Sequence, residues 1–286
     1  MKYKCSLLFC VIAALRFIPV AAQAQGSDKD KGKPKDVEVK CPAGIDHSRW
    51  DRLLKKYVDG KGLVNYTAWK NDKGDLVALD AYIKQFGAKA DKGADGNEKA
   101  ASLANAYNAI TIRTILSSYP VESIHETKKP FETKQWTVGG AKVSLNDIEN
   151  GTLRPLLKYR AHSVLVCAAR SCPPLQRSAY QANAFEEQND AAYKAWLARE
   201  DLNKFLPEEK KAEVSSIFKW FKPDFEKSLG VAKVFEKSGP ASAKKLVAGG
   251  QKFEISYLSY NWGLNDQGEH GRHYSKLNLL FDNLGR

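Results

Sequence analysis

Apolar residues recur every three or four positions in several stretches of the chain, which is the spacing of an amphipathic helix. This spacing predicts two early helices, over residues 50–58 and 76–83, with a turn at residues 60–62 between them. Residues 100–116 are apolar on nearly every side, a pattern typical of a helix buried inside a domain. We therefore expect a central buried helix with other helices around it.

A β-hairpin is predicted where two short segments, residues 135–138 and 141–143, flank Gly139 and Gly140. A glycine pair can adopt the positive φ angles that a tight hairpin turn requires. A helix should follow the hairpin directly.

That helix has a recognisable start, because Ser144 precedes Asp147 at the spacing of a capping box. In a capping box the serine side chain accepts a hydrogen bond from the first turn of the helix. We expect the helix to cover residues 145–153 and to end near Pro155.

Short strands are expected between the helices. Residues 161–169 are rich in β-branched and small side chains and predict a buried strand, on which His162 and Cys167 would face opposite sides. Alternating apolar residues predict another strand over residues 253–257, and helical spacing returns at residues 185–197. Irregular alternation of this kind indicates an α+β fold: a single domain with a central buried helix, short strands and surrounding helices.

The N-terminal residues have the three-part layout of a secretory signal peptide: two lysines, an apolar run over residues 7–15, and a small-residue cleavage site ending at Ala24. We expect residues 1–24 to be a signal peptide, 25–40 a charged flexible linker and 41–286 a single domain. The apolar run is too short for a permanent anchor, so we expect no stable membrane insertion. The expected location is periplasmic or secreted.

Charge adds little to this picture. The formal net charge is +12, and removal of the three basic residues in the signal peptide leaves +9. Many of the lysines fall in the linker, where they are solvated. Outside the cytoplasm a basic protein meets lipid headgroups and wall polymers more often than nucleic acid. We expect an unknown envelope substrate or ligand and no nucleic acid as partner.

The candidate chemistry is concentrated in residues 162–172. The chain lacks glycine-rich phosphate loops, the zinc-protease helix motif and the serine-hydrolase elbow, so no cofactor is expected. Cys172 precedes two prolines that stiffen its loop, and a nucleophilic thiol needs a nearby base, for which His162 is the nearest candidate. Glu149 or an asparagine would orient that base, and nearby backbone N–H groups or the amides of Asn105 and Asn108 are candidate oxyanion donors.

Structural roles remain open for the same residues. After export the chain keeps three cysteines, an odd number for an oxidising compartment. Cys167 and Cys172 are close enough in sequence to form a disulfide, and Cys41 could pair with either. His162 and the two nearby cysteines are spaced more widely than usual zinc ligands, so no metal site is predicted. Glu149 and Arg154 could form an ordinary surface ion pair.

The motifs together resemble the domain-of-unknown-function 547 family, from about residue 50 to residue 265. The segments that carry the resemblance, in order along the chain, are residues 105–109, 144–149 with 153–154, 162–167, 171–175, 217–225 and 260–265. Two positions depart from the family's pattern: Ala104-Asn105 replaces an aromatic-Ile pair, and Asn261 stands where the family usually has Asp. The resemblance places these polar residues on motif positions: Asn105, Asn108, Glu149, Arg154, His162, Cys172 and Asp224.

Three hypotheses about function follow. The first is a thiol-dependent hydrolase or acyl transferase acting on a peptide or amide bond, with Cys172, His162 and Glu149 as catalytic residues. In that hypothesis the binding residues are Asn105, Asn108, Arg154 and Asp224. The second is a non-catalytic envelope binding module with structural cysteines, and the third is a metal-binding protein.

Overall fold

The computed structural model describes residues 37–90 and 93–274, all within one compact unit, Lys35–Arg286. The predicted signal peptide lies outside the described residues. The α-helices in the described part are α1 (Ser48–Tyr57), α2 (Tyr66–Asn71), α3 (Lys73–Gln85), α4 (Gly96–Ser118), α5 (Leu145–Ile148), α6 (Arg154–Leu157), α7 (Phe185–Leu197), α8 (Ile217–Trp220), α9 (Lys222–Glu226), α10 (Val231–Ser238) and α11 (Ala241–Val247). A π-helical turn, Glu149–Leu153, joins α5 to α6, and a 3₁₀ helix, Lys158–Ser163, follows α6.

Two small sheets accompany the helices, so the predicted α+β class is confirmed. The strands are β1 (Trp136–Val138), β2 (Ala141–Val143), β3 (Lys204–Leu206), β4 (Lys211–Ser215) and β5 (Glu254–Leu258). β1 and β2 form the predicted antiparallel hairpin, and Gly139 and Gly140 have φ angles of +60° and +82° in its turn. In the second sheet β4 is central, antiparallel to β3 and parallel to β5.

Helix α4 is the central helix that the sequence predicts. Every residue from Ala100 to Ile112 is buried, and the helix packs against α2, α3, α5 and α7. No amphipathic stripe is present because protein surrounds the helix on all sides. Among residues 37–90 and 93–274, no helix has both the length and the apolar character needed to cross a bilayer.

The early helices are confirmed, with one addition. α1 and α3 match the two predicted helices, and the short helix α2 lies between them in sequence. Asn65 starts α2, because its side chain accepts a hydrogen bond from the Ala68 N–H.

The capping box at Ser144 and Asp147 is present, but the helix does not end at Pro155. It passes through the π-helical turn and continues to Leu157. The wide turn bonds the Arg154 N–H to the Glu149 carbonyl, and Pro155 then stands in the first turn of α6.

The predicted linker is ordered at its end. Residues 25–36 lie outside the described part, but the Val37 and Val39 N–H groups donate to Asp147 Oδ1 (2.9 Å) and Thr152 Oγ1 (2.8 Å). Val39 is buried in the core. Val37 and Val39, at the end of the predicted linker, therefore contact the domain.

Candidate active site

The strand predicted over residues 161–169 is absent, and that prediction was wrong. His162 lies in the 3₁₀ helix, and the apolar residues after it run as a buried loop. Asn108 on α4 takes the place of a neighbouring strand: its amide donates to the Val164 carbonyl (2.8 Å) and accepts from the Val166 N–H (2.9 Å). Buried main-chain groups need such partners, and here a side chain supplies them.

The loop turns sharply after Cys167, where Ala168 adopts a φ of +60°. The turn brings Cys172 back, so that its Sγ accepts a hydrogen bond from the Cys167 N–H at 3.1 Å. The two sulfur atoms lie 2.6 Å apart. This distance is longer than the S–S bond of about 2.0 Å, but it is short enough for oxidation to join Cys167 and Cys172 in a disulfide.

Cys41 is separate from this pair. It is a free thiol, fully buried, and its Sγ contacts the Pro42 carbonyl at 3.5 Å. Burial raises the pKa of Cys41 to about 12, which makes it unreactive near neutral pH.

The last motif of the chain fixes the cysteine loop in place. Arg170 N–H donates to the Gly263 carbonyl (2.8 Å), and the Asn261 N–H donates to Ser171 Oγ (2.8 Å). The same segment carries Tyr260, whose hydroxyl oxygen lies 3.1 Å from Cys172 Sγ. Residues 167–172 and 260–265 therefore form one unit.

His162 is held from behind by a partly buried carboxylate. Its Nε2 lies 2.9 Å from Asp224 Oδ2, and Arg154 binds both oxygens of Asp224 through Nε (2.7 Å) and Nη2 (3.1 Å). Phe221 stacks on the imidazole, with 4.2 Å between the two ring centroids. The Arg154 guanidinium lies 4.6 Å from the centroid of the same Phe221 ring. Such a bidentate pair fixes the carboxylate in position, and the carboxylate in turn fixes the ring.

The protonation states of this pair follow from its surroundings. Burial lowers the pKa of His162 more than its hydrogen bond to Asp224 raises it. Burial by itself raises the pKa of Asp224, but the hydrogen bonds from His162 and Arg154 hold that pKa well below its ordinary value. The ring is therefore neutral and the carboxylate ionised. Because a carboxylate only accepts, Nε2 carries the proton and Nδ1 has the lone pair.

A small pocket, of about 40 Å³ without its open mouth, joins the imidazole to the thiols. Glu149, at the start of the π-helical turn, faces this pocket and accepts a hydrogen bond from the Tyr107 hydroxyl at 2.9 Å. The lining residues are Tyr107, Glu149, His162, Leu165, Cys167, Cys172, Pro173, Ile217, Trp220, Phe221 and Tyr260.

The pocket thus brings together Cys172, His162 and Glu149, the three residues expected to be catalytic. His162 and Cys167 line it together, because no strand separates their side chains. Glu149 is the orienting group expected from the sequence, but Asp224 is the residue that hydrogen-bonds the imidazole.

Cys172 is deeply buried in this arrangement, with 4% of its surface exposed. Burial, and next the neighbouring Cys167, raise the pKa of Cys172 well above that of an ordinary thiol. The resting group is therefore a thiol and not a thiolate, so it needs a base to react.

The expected binding residues have structural partners. Asn105 donates to and accepts from the main chain of Tyr180 (2.8 and 3.0 Å), as Asn108 does with the loop after His162. Arg154 and Asp224 support the imidazole and are not among the lining residues. A role in binding for these four residues stays a prediction.

Four residues of the pocket wall were missed: Tyr107, Tyr260, Trp220 and Phe221. The two tyrosines stand inside motifs that had been recognised from the sequence, which was the available signal. Trp220 and Phe221 lie in the segment 217–225, where apolar spacing cannot separate a core residue from a pocket wall. Within the described ranges, no group of three or more His, Cys, Asp or Glu side chains is arranged to hold a metal ion.

Comparisons with known proteins give one match. Neither the curated proteins nor the solved structures include a chain that matches this one. Residues 92–197 match the model of a family described as "Protein of unknown function, DUF547", and this segment contains α4, the capping box, His162 and both pocket cysteines. The resemblance noted from the motifs is thereby confirmed over residues 92–197, which are similar to the DUF547 family.

Proposed function

We propose that this protein is a thiol-dependent hydrolase or acyl transferase that acts on a peptide or amide bond, with Cys172 as nucleophile and His162 as base. The observation that carries the proposal is the shared pocket, which both residues line while Asp224 holds the far nitrogen of the imidazole. A nucleophile, a base and a group that orients the base are the parts that thiol acyl transfer needs.

In the proposed reaction, His162 Nδ1 takes the thiol proton as Cys172 Sγ attacks the substrate carbonyl carbon. A C–S bond forms, the tetrahedral intermediate collapses, and the amine leaves with the proton returned by His162. Water or another acceptor then attacks the thioester, its proton passing through His162, and the thiol is released. Asp224 stabilises the imidazolium ion between these steps, because it is ionised and hydrogen-bonded to the ring.

Tyr260 is suited to stabilise the oxyanion. Its hydroxyl lies 3.1 Å from Cys172 Sγ, next to where the substrate carbonyl would sit. Burial raises the pKa of Tyr260, so the hydroxyl keeps its proton and can donate it in a hydrogen bond.

A non-catalytic binding module with structural cysteines is the second candidate. The 2.6 Å separation of the cysteine sulfurs favours it, because a disulfide there would remove the nucleophile. The two candidate functions predict different reactions of the reduced protein with an activated ester: the enzyme would be acylated on Cys172, and the binding module would not.

The test is acylation of the reduced protein with p-nitrophenyl acetate, followed by peptide mass mapping. We expect an acetyl group on Cys172 that hydroxylamine removes, and we expect Cys172→Ser and His162→Gln to abolish this adduct. His273→Gln, a change at an exposed histidine, is the matched control and should leave it unchanged. An adduct that forms equally fast without His162, or no adduct on Cys172, would contradict the proposal and favour the binding module.

Export to the envelope is part of the proposal and rests on the sequence of residues 1–24. The test is the mass of the protein recovered from fractionated cells. We expect a chain that begins at Gln25, outside the cytoplasmic fraction. A full-length chain in the cytoplasm would refute export while leaving the chemistry open.

A further inference from the structure

Glu149 is the one acidic residue among those that line the pocket, and no lysine or arginine lines it. Burial lowers the pKa of His162 and raises the pKa of Cys172 and of Tyr260, which favours the neutral form of each of these groups. The pocket therefore carries a net negative charge, located on one carboxylate.

The nearest cation in sequence does not neutralise that carboxylate. Arg154 lies just after the π-helical turn that begins at Glu149, but its guanidinium donates to Asp224 and, through Nη1, to Asn150 Oδ1 (2.8 Å). Glu149 instead accepts a neutral hydrogen bond from Tyr107. Among the described residues no salt bridge to Glu149 is present, so its charge acts on whatever enters the pocket.

The wall beside the carboxylate is aromatic. Trp220 and Tyr260 pack together with 4.9 Å between their ring centroids, and both line the pocket along with Phe221. A carboxylate next to aromatic rings recognises an ammonium group, by ion pairing with the carboxylate and by attraction to the ring faces.

We propose that Glu149 selects substrates bearing a protonated amine next to the acyl group that Cys172 attacks, as in a peptide with a free amino group beside the scissile bond. The proposal rests on the proposed function for its acyl chemistry, but the cation preference can be measured without turnover. Glu149 is in this proposal a specificity-determining residue and not the group that orients the base.

The experiment uses thiol-directed methanethiosulfonates of three charges on the reduced, full-length Cys167→Ala protein. The reagents carry a 2-trimethylammonioethyl, a 2-sulfonatoethyl or a neutral methyl group. In each case the Cys172 sulfur displaces a sulfinate and forms a mixed disulfide, which peptide mapping quantifies. Rates are divided by those for free mercaptoethanol, and ratios between reagents cancel any change in the pKa of the thiol itself.

We expect the cationic reagent to be favoured over the anionic one by roughly tenfold, given the Coulomb energy of a charge pair at this range. Glu149→Gln should bring the ratio close to one, while Glu149→Asp, which keeps the charge, should retain most of it. Glu208→Gln removes an exposed carboxylate paired with Lys245 and is the matched control, with no expected effect.

Equal rates for the cationic and anionic reagents in the protein with intact Glu149 would overturn the proposal, whether or not Glu149→Gln folds. An unchanged ratio in folded Glu149→Gln would do the same. Failure of the acetylation test with the charge preference intact would reject the acyl chemistry alone and leave a cation-selective pocket.

Discussion

The sulfur atoms of Cys167 and Cys172 lie 2.6 Å apart across a turn of six residues. The turn forms because Ala168 adopts a positive φ and the segment 260–265 holds the loop from outside. Any nucleophilic role for Cys172 is therefore tied to the oxidation state of its neighbour.

Oxidation should join these two cysteines and leave Cys41 untouched. We expect mild oxidation with diamide to remove two of the three thiols in residues 25–286 and to lower the mass by about 2 Da, with Cys41 still alkylated after unfolding. Closing so short a loop should stabilise the fold by on the order of 2 kcal/mol in the chain-entropy model. Denaturant titration with and without reductant measures this. A disulfide to Cys41 would refute it.

Removal of the second thiol should make Cys172 easier to ionise. Burial is the first cause of its raised pKa and Cys167 the next, so Cys167→Ala should remove the second contribution and keep the first. The pH midpoint for alkylation by iodoacetamide should therefore fall, but stay above that of an ordinary thiol. Cys41→Ala is the control, and an unchanged or higher midpoint in Cys167→Ala would contradict the expectation.

Acid should weaken the fold partly through His162. The pKa of this histidine is lowered in the folded state by burial, so below about pH 6.5 the unfolded chain binds a proton that the folded chain does not. Stability should thus be complete above pH 6.5 and be lost as the pH falls toward the folded pKa, by at most about 1.4 kcal/mol per pH unit. His162→Gln removes this titration.

The measurement is urea denaturation of both proteins at pH 8 and pH 5. The wild-type chain should lose more stability than His162→Gln over that interval. Burial also lowers the pKa of His47, but His47 is present in both proteins, so its contribution cancels in the comparison. An equal loss in the two proteins would contradict this, because it would show that His162 takes up its proton at the same pH in the folded and the unfolded chain.

Asn108 should matter for stability more than its polar character suggests. Asn108→Ala leaves the Val164 carbonyl and the Val166 N–H without partners in a buried loop. At about 1–3 kcal/mol for each of the two unsatisfied groups, we expect a loss of roughly 2–6 kcal/mol in the free energy of unfolding. Asn71→Ala, at an exposed position, should change it by no more than about 0.5 kcal/mol. An unchanged free energy of unfolding in Asn108→Ala would contradict this prediction and leave ligand binding as the role of the Asn108 amide.

Features set by neighbouring residues could be predicted from the sequence. The hairpin at Gly139 and Gly140, the capping box at Ser144 and the apolar helix α4 each depend on residues within one or two turns of each other. Local patterns carry that information because the interactions they encode are themselves local.

The loop from residue 164 to 169 could not be predicted in the same way. Its apolar residues look like a strand, but the partner of its main chain is Asn108, 56 and 58 residues earlier in sequence. The link between His162 and Asp224 spans 62 residues and is likewise invisible to any local pattern. Residue types pointed to the right members of the site, while their pairing depended on the tertiary structure.

The π-helical turn between α5 and α6 contains one residue more than the α-helical turn that could stand in its place. Loss of a single residue, such as Gly151, would restore the regular helix and rotate one side against the other by roughly 100°. Glu149 stands before that point and Arg154 after it. One inserted residue therefore sets the angle about the helix axis between the Glu149 carboxylate, which faces the pocket, and the Arg154 guanidinium, which supports Asp224. A shortened turn could aim one of the two groups correctly but not both.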